Sequence, residues 1–298
     1  MDQRLFETVS SWIQSHGRPL EKARLHHLFG GGDALDVLTE LKKFQNPDGG
    51  IGHGLEPDCW NVESSPIQTW TALEIIREIK LENNDPFVRN IIDYFWNTPL
   101  QTEGLWYATQ PSNNHFPHAP WWHFKEESKI WAYNPTAAVL GFLYRYGSQK
   151  ERGLLAPRIQ KAIDDFLAGG HDEMHELRAF VEMEEDLRLA DYPHLSSLQR
   201  GIEQAILNTV EHDPEKWFTT YCVRPLHLID HPDRIGYSAL KEEVQTELDM
   251  LATSRNQEGV WNITWQWGQY DTEFEVAKKL WMGIMALGFL KIMKNFEK

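Results

Sequence analysis

Apolar residues recur at three- and four-residue spacing through most of the chain, and that spacing is the signature of helices buried on one side. Leu35, Leu38, Leu41 and Phe44 form one such stripe, with Glu40, Lys42 and Lys43 on the opposite face. Ile67, Trp70, Leu73, Ile76 and Ile79 form a second, and Leu240, Val244, Leu248 and Leu251 a third. The stretches 136–146 and 271–294 are apolar on most faces. No strand-like alternation competes over any length. The pattern predicts about twelve helices: 3–16, 19–29, 33–45, 66–80, one ending near 96, 136–146, 157–168, 172–188, 194–211, one after Asp213-Pro214, 238–253 and 271–294. Start signals support several of them. Asp33 is an N-cap candidate, Ser65-Pro66 with Gln68 reads as a cap and capping box, and Asn134-Pro135 and Asp213-Pro214 repeat the cap-plus-proline start.

The helices pair into six hairpins, and in several a one-sided helix is followed by a glycine-containing turn and a more apolar helix. The segments 139–143 (VLGFL) and 286–290 (ALGFL) differ only in their first residue. A helix apolar on most sides needs neighbours on most sides, whereas a striped one can stay outside. The fold class is therefore all-α, and residues 1–298 are expected to form a single α/α toroid of about six hairpins, with inner and outer helix rings. An open solenoid is the rival. Residues 97–133 break the rhythm with Pro99, Pro111, Pro117 and Pro120, and read as a long insertion, either a lid or a dimer contact.

Composition narrows the partners. A net charge of −15 disfavours nucleic acids and anionic membrane surfaces. Two cysteines, Cys59 and Cys222, and a start without a basic, apolar leader suit a reducing, cytoplasmic setting. No stretch reaches the roughly 20 apolar residues that span a bilayer. The thirteen tryptophans are the unusual feature, because many stand at or near the expected turns. Indole rings gathered at helix–loop junctions can line a pocket for a small molecule.

The turns carry a resemblance. Phe44-Gln45-Asn46-Pro47-Asp48-Gly49-Gly50-Ile51-Gly52, followed by Thr69-Trp70-Thr71-Ala72-Leu73, resembles the repeat of terpenoid cyclases and protein prenyltransferase β subunits. Arg255-Asn256-Gln257-Glu258-Gly259-Val260-Trp261 looks like a second copy, and Glu103-Gly104-Leu105-Trp106 like part of a third. The resemblance implies an α/α toroid and an enzyme acting on an isoprenoid or other apolar molecule in an aromatic-lined cavity. The family's chemistry does not come with it. The Asp-x-Asp-Asp acid motif is absent, Asp164-Asp165 lacks the third aspartate of the magnesium motif, and Asp58-Cys59 are adjacent where zinc ligands need a spacer.

In a toroid of hairpins the turns leading into inner helices share one end of the ring, so residues far apart in sequence meet there. The expected catalytic set is His53, Glu56, Asp58 and Asp271. The expected substrate-binding set is Trp60, Trp121, Trp122, His123, Trp217, Tyr221, Trp265, Trp267 and Tyr270. His115, His118, His171, Asp172 and His175 belong to the same junctions. Carboxyls beside apolar rings have shifted proton affinities, which suits Glu56 or Asp58 to acid–base work. Each has a plainer reading. Asp48 and Glu258 bond turn amides, Asp271 and Asp213 cap helices, and His171 and His175 sit on a solvated helix start. The spacing His53-x-x-Glu56-x-Asp58 matches no established metal-ligand motif, so no metal is expected, and any cofactor stays open. Two other functions compete with the isoprenoid enzyme. One is a glycosidase or lyase using paired carboxylates and tryptophan stacking. The other is a non-catalytic binding protein.

Overall fold

The structure, a computed structural model, describes residues 1–100, 104–125, 132–171 and 173–297. Asp172, Glu103 and parts of the 97–133 insertion lie outside the described residues. Among those described there are twelve α-helices and no strand: α1 (Gln3–His16), α2 (Pro19–Phe29), α3 (Ala34–Leu41), α4 (Pro66–Glu78), α5 (Pro86–Asn97), α6 (Thr136–Tyr146), α7 (Gln149–Ala168), α8 (Met174–Leu189), α9 (Ser196–Thr209), α10 (Pro225–Leu228), α11 (Lys241–Thr253) and α12 (Asp271–Asn295). None is long and apolar enough to cross a membrane.

Local chemistry explains most boundaries. Asp2, Asp33 and Asp85 each accept a backbone N–H at the start of their helices. Ser65 accepts from the Gln68 amide, but no capping box forms there. The Gln68 side chain instead serves the preceding loop, accepting from the Leu55 N–H at 3.1 Å and donating to the Asn61 carbonyl at 2.9 Å. Buried loop amides need such partners. Helix α7 starts eight residues before the expected 157, because Ser148 and Glu151 make a capping box and Pro157 lies inside the helix. Asp213-Pro214 opens only a three-residue 3-10 turn, and the helix that follows is the short α10.

The Gly-rich turns are built alike. In the first, the Gln45 side chain donates to the Gly49 carbonyl at 2.9 Å, and Asp48 accepts from the Gly50 N–H and the Ser64 hydroxyl. The Ile51 N–H reaches the Thr69 hydroxyl on α4 at 3.0 Å, and the Trp106 N–H reaches the Thr136 hydroxyl on α6 at 2.9 Å. Indoles hook back to the preceding helix: Trp106 donates to the Phe95 carbonyl and Trp261 to the Leu251 carbonyl. Glu258 departs from its expected turn role, because it accepts the Trp12 indole N–H of α1 at 2.7 Å. Gly49 has φ +90°, and a Cβ there would stand 2.2 Å from the Asn90 carbonyl oxygen. Gly49→Ala is expected to cost about 2 kcal/mol or more in urea unfolding, because left-handed strain and a backbone clash add. A loss under about 0.5 kcal/mol would show that this turn does not need its glycine.

Ion pairs link α2, α4, α6, α8 and α12. Arg24 of α2 forms a two-pronged pair with Glu78 of α4, and Lys291 of α12 reaches the same carboxylate at 3.0 Å. Arg77 of α4 binds Asp186 of α8, and Arg145 of α6 binds the other oxygen of Asp186 at 3.0 Å. Arg178 of α8 pairs with Glu74 of α4 and with Glu182. These ion pairs run alongside a large apolar core. Helix α12 packs against both α1 and α2, so the two ends of the chain meet.

Candidate functional site

The loop from Gly52 to Ser65 is anchored before it offers any chemistry. Arg18, at the start of α2, donates to the Leu55 carbonyl at 3.1 Å while holding Glu21 in a two-pronged ion pair. The next residues pair with the insertion: the Trp60 N–H donates to the Pro117 carbonyl and the Ala119 N–H to the Asp58 carbonyl. Asn61 bonds Ser112 and Asn113, and Gln110 bonds the Ser64 carbonyl. The described part of the insertion is thus a docked wall on the 56–61 loop. A third junction, before α12, closes the group, because Gln269 donates to the His118 carbonyl at 2.7 Å.

Two carboxyls sit at this meeting point. Asp58 is 3 % exposed and Glu56 7 % exposed. Asp58 accepts two indole N–H groups, from Trp267 at 2.8 Å and Trp265 at 3.0 Å, both more than two hundred residues away in sequence. Glu56 accepts the Trp122 indole at 3.3 Å and the backbone N–H of Asp58. Burial pushes the Asp58 carboxyl up to about 6, against the opposing pull of the indoles of Trp267, Trp281 and Trp265. The Trp281 N–H is buried without a hydrogen bond of its own, and favours the Asp58 charge from close by. Burial, and then the Asp58 charge, hold Glu56 well above the usual carboxylate range. The two groups face each other's charge, so their protons leave as those of a pair.

Indoles frame these acids. Trp122 and Trp267 are buried in one cluster with Cys59, Ile67, Ala119 and Ala277, and Trp60, Trp70, Trp121 and Phe274 pack half-buried against it. Trp265 meets Trp281 edge to face at 5.4 Å. The His118 and His123 rings lie parallel, with ring nitrogens 3.0 Å apart, and His118 is buried while His123 is exposed.

Beside Trp70 lies a charged group: the Arg178 guanidinium stands 5.8 Å from the Trp70 ring and pairs with Glu74 and Glu182. The side chains of Arg178 and Glu74 keep 44 % and 37 % of their exposure, yet burial is the largest single influence on Glu74. Burial at Glu74 is outweighed by Arg178, Lys291, Arg77 and Arg24, which together hold its carboxyl below the ordinary range. Near the start of α8, burial pushes the His175 imidazole down. The Trp70 indole donates to Glu182 at 2.9 Å, linking the aromatic cluster to the charged group.

The expected residues divide accordingly. Glu56, Asp58, Trp60, Trp121, Trp122, Trp265 and Trp267 come together, with His123 and Tyr270 beside them through His118. His53 does not: it is exposed and bonds Asn46 at 2.9 Å on the outside of the turn. Asp271 is exposed in the first turn of α12 and does not occupy the cap position, which is Tyr270. Trp217 is buried, with its N–H on the Glu211 carbonyl of its own loop. Tyr221 is exposed and outside the indole cluster. His171 pairs with Glu176 at 3.0 Å, whereas His175 is exposed. Among the described residues no group of three or more His, Cys, Asp or Glu is placed to hold a metal ion. Sequence reasoning missed Trp70, Trp281, Glu74 and Arg178. They lie on helical stripes that read as core or solvated faces, and only the meeting of α4, α8 and α12 gives them a common purpose. A cavity of about 430 Å³ opens elsewhere, at the C-terminal end of α8 beside Gln199, Arg200 and Tyr237, and holds none of the expected residues. Compared with protein-family models, curated proteins and solved structures, the chain matches none.

Proposed function

We propose that the twelve helices close into an α/α toroid and that its mouth takes a small carbohydrate, with Asp58 as the group that gives or takes the proton. The supporting observation is the buried Asp58–Glu56 pair among tryptophan rings, with the charged Glu74–Arg178–Glu182 group on the far side of Trp70. Ion pairs that link α4 to α2, α8 and α12, and α12 meeting α1 and α2, favour closure. Indole faces suit the apolar faces of sugar rings, while ionic side chains beyond Trp70 suit hydroxyl groups. Such a group would be costly to cover with an isoprenoid chain, because its charges would lose water without gaining partners. The isoprenoid reading keeps only the aromatic rim in its favour. Asp58, with its raised proton affinity, serves as the acid, and Glu74, kept ionised by its cations, as the base. Environments that push two carboxyls apart in this way assign the two roles. The hydrolysis is a water addition: the acid protonates the leaving oxygen, and the base takes a proton from the attacking water.

The test is to incubate the protein with a panel of neutral oligosaccharides and isoprenoid diphosphates, following tryptophan fluorescence and product formation. Quenching and cleavage by saccharides alone are expected. Asp58→Asn should keep the quenching and lose cleavage by about 100-fold or more. Response to the isoprenoids alone would replace this reading, and cleavage unchanged in Asp58→Asn would remove Asp58 from the chemistry.

A further inference from the structure

The cavity of about 430 Å³ at the C-terminal end of α8 falls in the size range of small-molecule pockets, about 300–1,000 Å³. Three segments wall it: Glu184 and Arg188 of α8, the first turns of α9, and the loop 232–238. Contacts outside the cavity hold these walls. Glu184, 3 % exposed, accepts the Gln199 side-chain amide at 2.7 Å, which ties α8 to α9. Arg234 pairs with Asp230 and with Glu185, which ties the loop to α8. Gly236, at φ +88°, lays the loop against α9, and a Cβ there would stand 3.2 Å from Ile206.

The other charges at the cavity are spent less fully. Arg188 has two acids near it, Glu184 at 3.6 Å and Glu185 at 3.9 Å, both beyond hydrogen-bond reach. Arg200 donates to the Ser197 hydroxyl at 3.3 Å and pairs with no acid among the described residues. Glu203 and Asp233 pair with no cation among the described residues. Arg200 and Glu203 are one turn apart on α9, close enough to join, yet they line the same cavity without an ion pair. Two cations and two acids with spare bonding capacity favour a molecule that carries both charges. A simple anion would also meet Glu203 and Asp233, and a simple cation would also meet Arg188 and Arg200. The chain's net charge of −15 adds to the cost of an anion and leaves a net-neutral molecule unaffected.

We propose that this cavity binds a small zwitterion, a free amino acid or dipeptide, with its carboxylate on Arg188 and Arg200 and its ammonium on Glu203 and Asp233. Bonds of both kinds are charge-assisted, and guanidinium suits carboxylate in particular. The cavity shares no lining residue with the indole cluster around Asp58, so the proposal is independent of the carbohydrate reading.

The experiment is a thermal-shift screen of the free amino acids and their glycyl dipeptides, because a compound that binds the folded chain raises its melting temperature. Isothermal titration then compares the most stabilising compound with its N-acetylated form, which keeps only the carboxylate, and its C-amidated form, which keeps only the ammonium. The zwitterion is expected to bind at least about 10-fold tighter than either blocked form. Arg200→Gln should weaken the zwitterion by about 10-fold and leave the C-amidated form unchanged. Glu203→Gln should weaken the zwitterion similarly and leave the N-acetylated form unchanged. Equal binding of the N-acetylated form would remove the acids from the site and overturn the proposal, and equal binding of the C-amidated form would do the same for the arginines. Stabilisation by none of the compounds, or binding unchanged in both variants, also overturns it.

Discussion

Arg77→Met is expected to lower unfolding free energy by about 3–5 kcal/mol, the cost of removing one partner from a buried ion pair. Arg77 is 15 % exposed and reaches two acids of α8: Asp186 through two nitrogens, and Glu182 at 3.6 Å. Removing it strands an Asp186 side chain that is 1 % exposed, with Arg145 as its remaining cation. Methionine keeps the volume, so the loss reports charge rather than a cavity. Urea titration beside an exposed control, Arg4→Met, measures it, and the control should move by less than about 0.5 kcal/mol. A similar small change for Arg77→Met would mean that α4 and α8 are held by their apolar contacts alone.

The second large effect is on pH dependence. Asp58 titrates near 3.8 when unfolded and near 6 when folded, so the folded chain binds its proton more tightly. Its contribution is stabilising below pH 3.8 and is lost as pH rises through 6. The full swing is about 3 kcal/mol, at 1.36 kcal/mol per pH unit. Glu56 is shifted in the same direction, so wild-type stability should fall between about pH 4 and 6, with both carboxyls contributing. Asp58→Asn should flatten that slope, and the double variant with Glu56→Gln should flatten it further. The asparagine amide satisfies at most one of the two indole donors, so a pH-independent loss is expected as well. Unfolding free energies measured at half-unit steps decide it. An unchanged slope in Asp58→Asn would show that the indoles, not the carboxyl's proton, govern the junction.

Much of this was legible along the chain. The spacing of apolar residues placed nearly every helix, and the Gly-rich turns announced where the chain reverses. Residues such as Asp58 and Trp60 stood out because a turn does not require them. What stayed hidden has a common physical cause. Pro157 looks like a helix start, and only the Ser148–Glu151 capping box shows that α7 began earlier. His53 is a neighbour of Asp58 in sequence, but its positive φ of 59° turns it outward to Asn46. Asp271 lies on the same helix as Trp281 but stands exposed in its first turn, nearly three turns away. Glu74, Arg77 and Arg178 carry charges that sequence assigns to water.

Local periodicity and turn chemistry by themselves determined the all-α class, the helix count and the junctions at which function was sought, because those depend on residues within a few positions of each other. The tertiary structure alone decided that Asp58 receives indoles from beyond residue 260, and that charges on α4 and α8 neutralise one another inside the fold. Burial and counter-charge are properties of surroundings contributed by distant segments. A residue's proton affinity, and therefore its chemistry, is fixed only when those segments arrive.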